Sequence, residues 1–281
     1  MRLPTLFLLA LSVAATQAYA TSILGTADSF AVLGNTTVTN TGSTIIDGDL
    51  GVYPGTSITG TGSISLSGTL HDGDSVAQQA QSDAAAAYGL LAAMTPTQDL
   101  SGEDLGGMTL TPGVYKFSTS AQLTGTLTLN AEGNDDALWV FLIGSTLMTA
   151  STSDVTFINQ GSTPNDGLFW DVGSSATLGS SSAFAGNILA SSAITFDASA
   201  TIDCGRAVAQ NGAVTLSANT VSASCQGTGL ETSDGLSGGG STIPSSPIPE
   251  PGSIALFGTG LLALAGVARR SLVNRPVRGK D

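Results

Sequence analysis

One phrase of four residues occurs three times in the last third of the chain, and it limits the fold more than any other feature. The copies are Ser-Ala-Thr-Leu at 175–178, Ala-Ile-Thr-Phe at 193–196 and Ala-Val-Thr-Leu at 213–216. In each copy apolar and small polar residues alternate, as in a strand buried on one face. A unit of about 20 residues cannot bury its apolar side alone, so the repeat predicts coils stacked into a β-solenoid.

A single long helix is predicted within this mostly β chain. The Ala- and Gln-rich run at 74–94 begins with Asp74 and Ser75, either of which can cap a helix, and Pro96 fixes its end. Residues at helical spacing form one apolar stripe: Val76, Ala80, Ala84, Ala87 and Leu91. The stripe predicts that the helix packs along a flank of the solenoid.

The continuous apolar run Ala-Leu-Trp-Val-Phe-Leu-Ile at 137–143 predicts a strand buried on both faces, between the solenoid and the helix. The rest of 23–172 consists of short apolar pieces separated by Gly, Asn, Asp and Thr, which indicates further brief strands.

The N-terminus is typical of an export signal. Met1-Arg2 precedes an apolar run at 3–15, too short to span a membrane, and Ala18-Tyr19-Ala20 forms a cleavage site. We therefore expect residues 1–20 to be a signal peptide and 21–225 to be the folded domain. The Gly-, Ser- and Pro-rich residues 226–247 are predicted to be a flexible linker.

The C-terminal segment, 248–281, carries a second targeting pattern. Its elements are Pro249, Glu250 and Pro251, an apolar run at 254–267, then Arg269, Arg270 and further basic residues. Physically this is a short membrane segment whose cationic end stays cytoplasmic. The order resembles the PEP-CTERM sorting signal of Gram-negative bacteria; an ordinary single-span anchor is the alternative. The resemblance implies transient anchoring in the inner membrane and removal by an exosortase near 249–251. It also implies delivery to the cell surface or to an extracellular polysaccharide matrix.

Charge excludes one class of partner. Between the two terminal segments, Lys116 and Arg206 are the only bases against 19 acidic residues, which gives a net charge near −17. Such a surface repels nucleic acid and anionic lipid, so no nucleic-acid role is expected.

The two cysteines, Cys204 and Cys225, are 21 residues apart, about one coil. Export favours a disulfide between them that joins the last two coils, and two free buried thiols are the alternative. His71 is the only histidine, so no zinc pattern exists, and no Asp-rich calcium loop is present. We expect neither a metal nor a cofactor.

Six stretches carry a family resemblance. They are LGTADSFAVL at 24–33, GDLGV at 48–52, LGGMTLTPGVY at 105–115, LTGTLTL at 123–129, VGSSATL at 172–178 and GNIL at 186–189. Together they resemble the bacterial and fungal ice-binding proteins. The resemblance covers 23–225 and implies an irregular right-handed β-solenoid with one long helix beside it. It also implies a secreted, non-catalytic protein that adsorbs to ice and inhibits ice growth or recrystallisation.

Ice offers a repeating array of water oxygens, so a binder needs a flat, rigid, uncharged surface with regularly repeated side chains. Stacked strands lie about 4.7–4.9 Å apart, so outward threonines on successive strands supply such a surface. Family members show Thr-(Ala/Gly)-x-(Thr/Asn) on the flat face, and this pattern and its looser forms select ten residues for one face. They are Thr41, Thr44, Thr59, Thr61, Thr124, Thr126, Thr149, Thr152, Thr201 and Thr220. A rival ladder is Thr177, Thr195 and Thr215, which Asp197 makes less suitable through its charge.

Two other functions stay open. A polysaccharide-degrading enzyme would need paired carboxylates, but Asp47/Asp49, Asp72/Asp74 and Asp135/Asp136 all lie among turn residues. We therefore expect no enzyme. The stronger rival is a non-catalytic adhesion or structural protein of an extracellular polysaccharide biofilm, since exposed strand threonines usually have no specific role.

Overall fold

The computed structural model describes residues 22–226, 228–230 and 233–238. In these ranges it contains 24 short strands, one α-helix (α1, Ser75–Ala92) and two 3-10 helices, Gly25–Ser29 and Thr61–Ser63. No helix within them is long and apolar enough to cross a membrane. The predicted span 254–267 lies outside the described residues, as do the predicted signal peptide and the sorting residues.

The strands before and after the helix follow one another closely along the chain. The first eight are β1 (Phe30–Gly34), β2 (Thr37–Thr41), β3 (Thr44–Asp47), β4 (Asp49–Val52), β5 (Ser57–Thr59), β6 (Ile64–Leu66), β7 (Leu70–Asp72) and β8 (Gln98–Asp99). The next eight are β9 (Thr109–Leu110), β10 (Gly113–Phe117), β11 (Ala121–Leu123), β12 (Thr126–Asn130), β13 (Leu138–Ile143), β14 (Leu147–Thr149), β15 (Asp154–Ile158) and β16 (Gly167–Val172). The last eight are β17 (Ala176–Leu178), β18 (Ala183–Phe184), β19 (Asn187–Ala190), β20 (Ile194–Phe196), β21 (Thr201–Ile202), β22 (Ala207–Ala209), β23 (Val214–Ser217) and β24 (Thr220–Ser222).

Three parallel sheets are built from these strands. Sheet A has the order β7-β4-β1-β22-β19-β16-β13-β10-β8, sheet B β11-β14-β17-β20-β23-β2-β5, and sheet C β6-β3-β24-β21-β18-β15-β12-β9. Each coil without the helix adds one strand to A, then to B, then to C, whereas the coil that contains the helix adds β7 and β8 to A and β9 to C. Three sides therefore enclose a common core. The prediction of a mostly β protein with one helix is confirmed.

The stacking order departs from the chain order at one place. The first coil lies on the last one, because β1, β2 and β3 pair with β22, β23 and β24. This leaves β7 and β8, which flank the helix in sequence, at opposite ends of sheet A. The connection must therefore run along the stack, and 18 helical residues cover about 27 Å of it.

The helix begins where the sequence predicts. The Asp74 carboxylate caps it by accepting hydrogen bonds from the backbone N–H groups of Val76 and Ala77. The buried face consists of Ala77, Ala80, Gln81, Ala84, Ala87 and Leu91. Val76 was wrongly assigned to it: its side chain is 45% exposed, because the helix turns Ala77 rather than Val76 toward the sheet.

Two apolar clusters hold the molecule together. One fills the interior of the coils and the other lies between sheet A and the helix. Strand β13 contributes to both, since Trp139 and Phe141 point into the coils while Val140 packs under the helix. The prediction that this strand is buried on both faces is confirmed.

The folded body continues past the boundary expected at 225. Leu230 and Leu236 are fully buried in the coil core, and Ser237 pairs with Gly167 in an antiparallel bridge. Composition predicts a linker from 226 onward, but two buried leucines and several hydrogen bonds join this segment to the body. Cys204 and Cys225 are joined by a disulfide just before it, with Cα atoms 4.5 Å apart.

Candidate functional site

Five threonines form a continuous row on the outer face of sheet B. The register pairs Thr59 with Thr39, Thr39 with Thr215, Thr215 with Thr195 and Thr195 with Thr177. We call this row the threonine ladder. Neighbouring strands lie about 4.7–4.9 Å apart, so the ladder repeats at that interval. Below Thr177 it continues through Met148 and Gln122, both exposed.

The residues on either side of each ladder threonine hold it in place. In β20 and β23 the neighbours point inward and are buried: Ile194, Phe196, Val214 and Leu216. Small polar pairs lie beside the ladder, namely Ser57 with Thr37 and Thr41 with Ser217. The surface is therefore regular, carried on a packed core, and free of charge along the ladder itself.

The threonine hydroxyls of this molecule fall into two groups by their hydrogen bonds, and the ladder shares its group with Thr126 and Thr220 on sheet C. Within the described part of the chain, none of the five has a protein partner. By contrast, the Thr124 hydroxyl donates to the Asp104 carboxylate and the Thr152 hydroxyl to the carbonyl of Ser151. The ladder hydroxyls remain available to water.

The ten threonines selected from the sequence do not share one face, and that part of the prediction is wrong. Thr41 and Thr59 lie on sheet B, whereas Thr126, Thr201 and Thr220 lie on sheet C. Thr61, Thr124 and Thr152 lie outside the strands, in the 3-10 helix after β5 and in turns. Thr44 and Thr149 are buried.

Local hydrogen bonding explains the two buried threonines. The Thr44 hydroxyl donates to Oδ1 of Asn40 at 2.6 Å, and the Thr149 hydroxyl accepts the N–H of Gly179 at 2.8 Å. Both side chains satisfy polar atoms of the coil interior and cannot face a ligand outside it. In β14 the apolar Met148 points outward instead, 48% exposed, which inverts the expected pattern.

The three threonines that the sequence raised as a rival ladder are the centre of the observed one. Thr39 was missed because it pairs with Thr215 across the junction of the first and last coils. A sequence signal existed: the alternation seen in Ala-Val-Thr recurs as Thr-Val-Thr at 37–39 and Ser-Ile-Thr at 57–59. Asp197, whose charge makes this row less suitable in the sequence analysis above, lies just after the end of β20 at the rim of the sheet.

Sheet C presents a mixed surface. Its corresponding row reads Ser65, Ile45, Thr220, Thr201, Ala183, Asp154 and Thr126. Asp47 and Asp203 lie beside that row. Burial raises the pKa of Asp203, and hydrogen bonds, first from Ser224 and then from Ser67, lower the pKa of Asp47.

The acidic pairs have structural roles that the described contacts explain. Oδ1 of Asp135 accepts the N–H of Thr163, and Oδ1 of Asp49 accepts the N–H of Thr69. Asp74 caps the helix. These carboxylates hold turns and a helix end, as expected for Asp among turn residues.

The sequence and the fold agree with known proteins. A family described as ice-binding-like matches residues 32–222, and the PEP-CTERM protein-sorting motif matches residues 247–270. An ice-binding protein of Nostoc sp. (strain HG1) is 49% identical over 255 residues, covering 90% of this chain and 89% of that protein.

Solved structures give the same result. An ice-binding protein from an Antarctic biological consortium is 41% identical with a TM-score of 0.67, covering 75% of this chain and 95% of its own. One from the ascomycete Antarctomyces psychrotrophicus is 38% identical, also with a TM-score of 0.67, covering 72% of this chain and 98% of its own. With its fold and most of its length matched, the chain belongs to the ice-binding-like family, and its C-terminus carries a PEP-CTERM sorting motif.

Proposed function

We propose that this protein adsorbs to ice through the outer face of sheet B and so inhibits ice growth or recrystallisation. The observation that carries the proposal is the threonine ladder, five threonines in unbroken register whose hydroxyls have no protein partner among the described residues. Of the ten residues selected from the sequence, Thr41 and Thr59 belong to this face. Thr61 and Thr124 lie at its edges.

The physical basis is a match between the regular spacing of the ladder threonines and the repeating array of water oxygens in ice. Each threonine methyl orders nearby water while its hydroxyl joins that water's hydrogen bonds. The buried residues on either side fix the strands, so little conformational entropy is lost on binding. Nothing is transformed in this process, and a non-catalytic role follows from it. We also propose that the coils wind right-handedly, because parallel crossovers overwhelmingly do.

The other faces are less suitable. The helix covers sheet A. The outward residues of that sheet, Val140, Phe169 and Leu189, are buried beneath the helix. Sheet C carries Asp154 in its central row and Asp47 and Asp203 beside it. A carboxylate holds its hydration water tightly, which works against adsorption to ice.

The sorting motif supports a proposal about location. We propose that the chain is exported, held briefly in the inner membrane through 254–267 and cut by an exosortase near Pro249–Pro251. It is then held at the cell surface or in an extracellular polysaccharide matrix. Support comes from the match over 247–270 and from the basic residues after the apolar run.

A partition experiment on residues 21–247 tests the ice proposal. The match covers 95% of the chain of the solved relative from the Antarctic consortium, so we expect this region to fold on its own. Fluorescently labelled protein is frozen slowly onto a cold finger beside labelled albumin. Enrichment in the ice over albumin is expected. Exclusion from the ice to the same degree as albumin contradicts ice binding and favours a matrix-adhesion protein, which the sorting motif suits equally well.

A further inference from the structure

The segment after the last coil follows a defined course across the body. We call residues 233–238 the C-terminal strap. The Leu168 N–H donates to the Leu236 carbonyl at 3.0 Å, and Nδ2 of Asn187 donates to the same carbonyl at 2.9 Å. Ser233 accepts the N–H of Asp166 and donates to the carbonyl of Pro164, both at 3.0 Å.

Arg206 fastens the strap more strongly. Arg206 is 1% exposed, and its guanidinium donates to the carbonyls of Gly235 and Asp234 at 3.0 and 3.2 Å. It also bonds the carbonyl and the carboxylate of Asp28 at 2.7 and 2.9 Å. A buried cation that is satisfied by two distant segments fixes both, since withdrawing either one leaves charge unpaired.

The strap partners share one location in the fold. Arg206, Asn187 and Gly167 lie at, or just before, the first residues of β22, β19 and β16. There the chain passes from sheet C to sheet A, and we call this edge the C–A vertex. In a three-sided stack, the C–A vertex lies opposite side B. The strap ends at Gly238 beside β16, which is near the middle of the order of sheet A.

From this geometry we infer that the strap makes the protein an ice adhesin, because it fixes Gly238, the last described residue, at the vertex farthest from the threonine ladder. The inference rests on the proposed function of sheet B. A molecule that is attached through its C-terminus then presents the ladder away from the attachment surface and couples that surface to ice.

Chain length supports this orientation. About 12 residues separate Gly238 from Glu250, a reach of at most about 40 Å. A coil of about 20 residues has sides of roughly 20 Å, so the path from the vertex to the middle of sheet B is about 30 Å around the body. An attachment near Glu250 would have to use most of its reach to cover the ladder.

Streptavidin beads with differently attached protein test the inference. Residues 21–247 are biotinylated at the C-terminus, at Ser162→Cys on the loop beside the strap, or at Ser57→Cys on sheet B. Both serines are exposed, and circular dichroism checks that the variants fold. The beads are brought to an ice surface in undercooled buffer, and retained beads are counted after washing.

We expect the C-terminal and Ser162→Cys beads to adhere equally. Both should exceed the Ser57→Cys beads by at least about ten-fold, because many outward-facing ladders act together. Equal retention by all three attachments, or retention by Ser57→Cys alone, overturns the inference. Free unlabelled protein is assayed for ice shaping in parallel. Its failure there would refute the proposed function itself, whereas shaping by free protein with no C-terminal bead retention refutes only the adhesin.

Discussion

Sheets B and C are built on the same backbone lattice, yet their outer faces differ. Both stack parallel strands at one spacing, and both expose threonines. On sheet B five threonines follow one another without interruption, whereas on sheet C the row is interrupted by Ile45, Ala183 and Asp154. The spacing between strands is therefore common to every side of such a stack. Sheet B is distinguished by an unbroken row of threonines and by the absence of charge in that row.

The largest effect is expected from blocking the centre of the ladder. Thr195→Tyr places a ring above the plane of sheet B and should reduce thermal hysteresis by about ten-fold or more, as expected for a central residue of a complementary surface. Thr201→Tyr, in the middle of the sheet C row, is the matched control and should leave hysteresis unchanged. The reverse result would move the ice face to sheet C.

The converse experiment builds a ladder on sheet C. The triple change is Ile45→Thr, Ala183→Thr and Asp154→Thr. With it, every position of that row from residue 45 at one end to Thr126 at the other is a threonine in register. Introduced into Thr195→Tyr, it should recover part of the lost hysteresis, because it supplies continuity and removes one charge. If the triple variant folds, as judged by circular dichroism, and recovers nothing, continuity is not the property that matters.

A smaller effect, on the free energy of unfolding, is expected to distinguish inward from outward threonines within sheet B. Thr149→Val leaves the buried N–H of Gly179 without its acceptor and should lower the free energy of unfolding by about 1–3 kcal/mol. Thr177→Val, whose hydroxyl has no partner among the described residues, should change it by less than about 0.5 kcal/mol. Urea unfolding measures both, and Thr149→Val should keep full ice activity. Lost ice activity in a folded Thr149→Val protein would argue against the assignment.

The smallest expected effect is that of pH. No ladder residue titrates, so hysteresis should stay constant between pH 8 and pH 4. Burial raises the pKa of Asp203, so this carboxyl becomes neutral earlier than an ordinary Asp as the pH falls. If sheet C bound ice, activity would therefore rise on acidification. A flat pH profile, with circular dichroism confirming the fold at each pH, supports sheet B.

Local patterns in the sequence predicted local structure well. The repeated phrase gave strands β17, β20 and β23, and the Asp74 cap and alanine stripe located the helix within two residues at each end. The apolar run at 137–143 was correctly expected to be buried on both faces. In each case the signal and the structure lie in the same few residues.

Features that depend on distant residues were not predictable in this way. Thr39 and Thr215 are neighbours because the first coil stacks on the last, and no local pattern encodes that junction. Strands of three residues carry too few positions to fix which face points inward, and a shift of one residue reverses every side chain. Thr149 begins the Thr-Ala-Ser-Thr pattern at 149–152, which predicts an outward side chain through the family resemblance, yet β14 turns it inward. The strap was missed because Leu230 and Leu236 stand alone in a Gly- and Ser-rich segment.

Direct observation of ice crystals tests the central claim most simply. Purified residues 21–247 are held with a single ice crystal in a nanolitre osmometer, and the crystal is watched as the temperature falls below its melting point. If the protein binds ice, the crystal becomes faceted and stops growing over a temperature gap that widens with protein concentration. A round crystal that grows freely at high protein concentration would contradict ice binding.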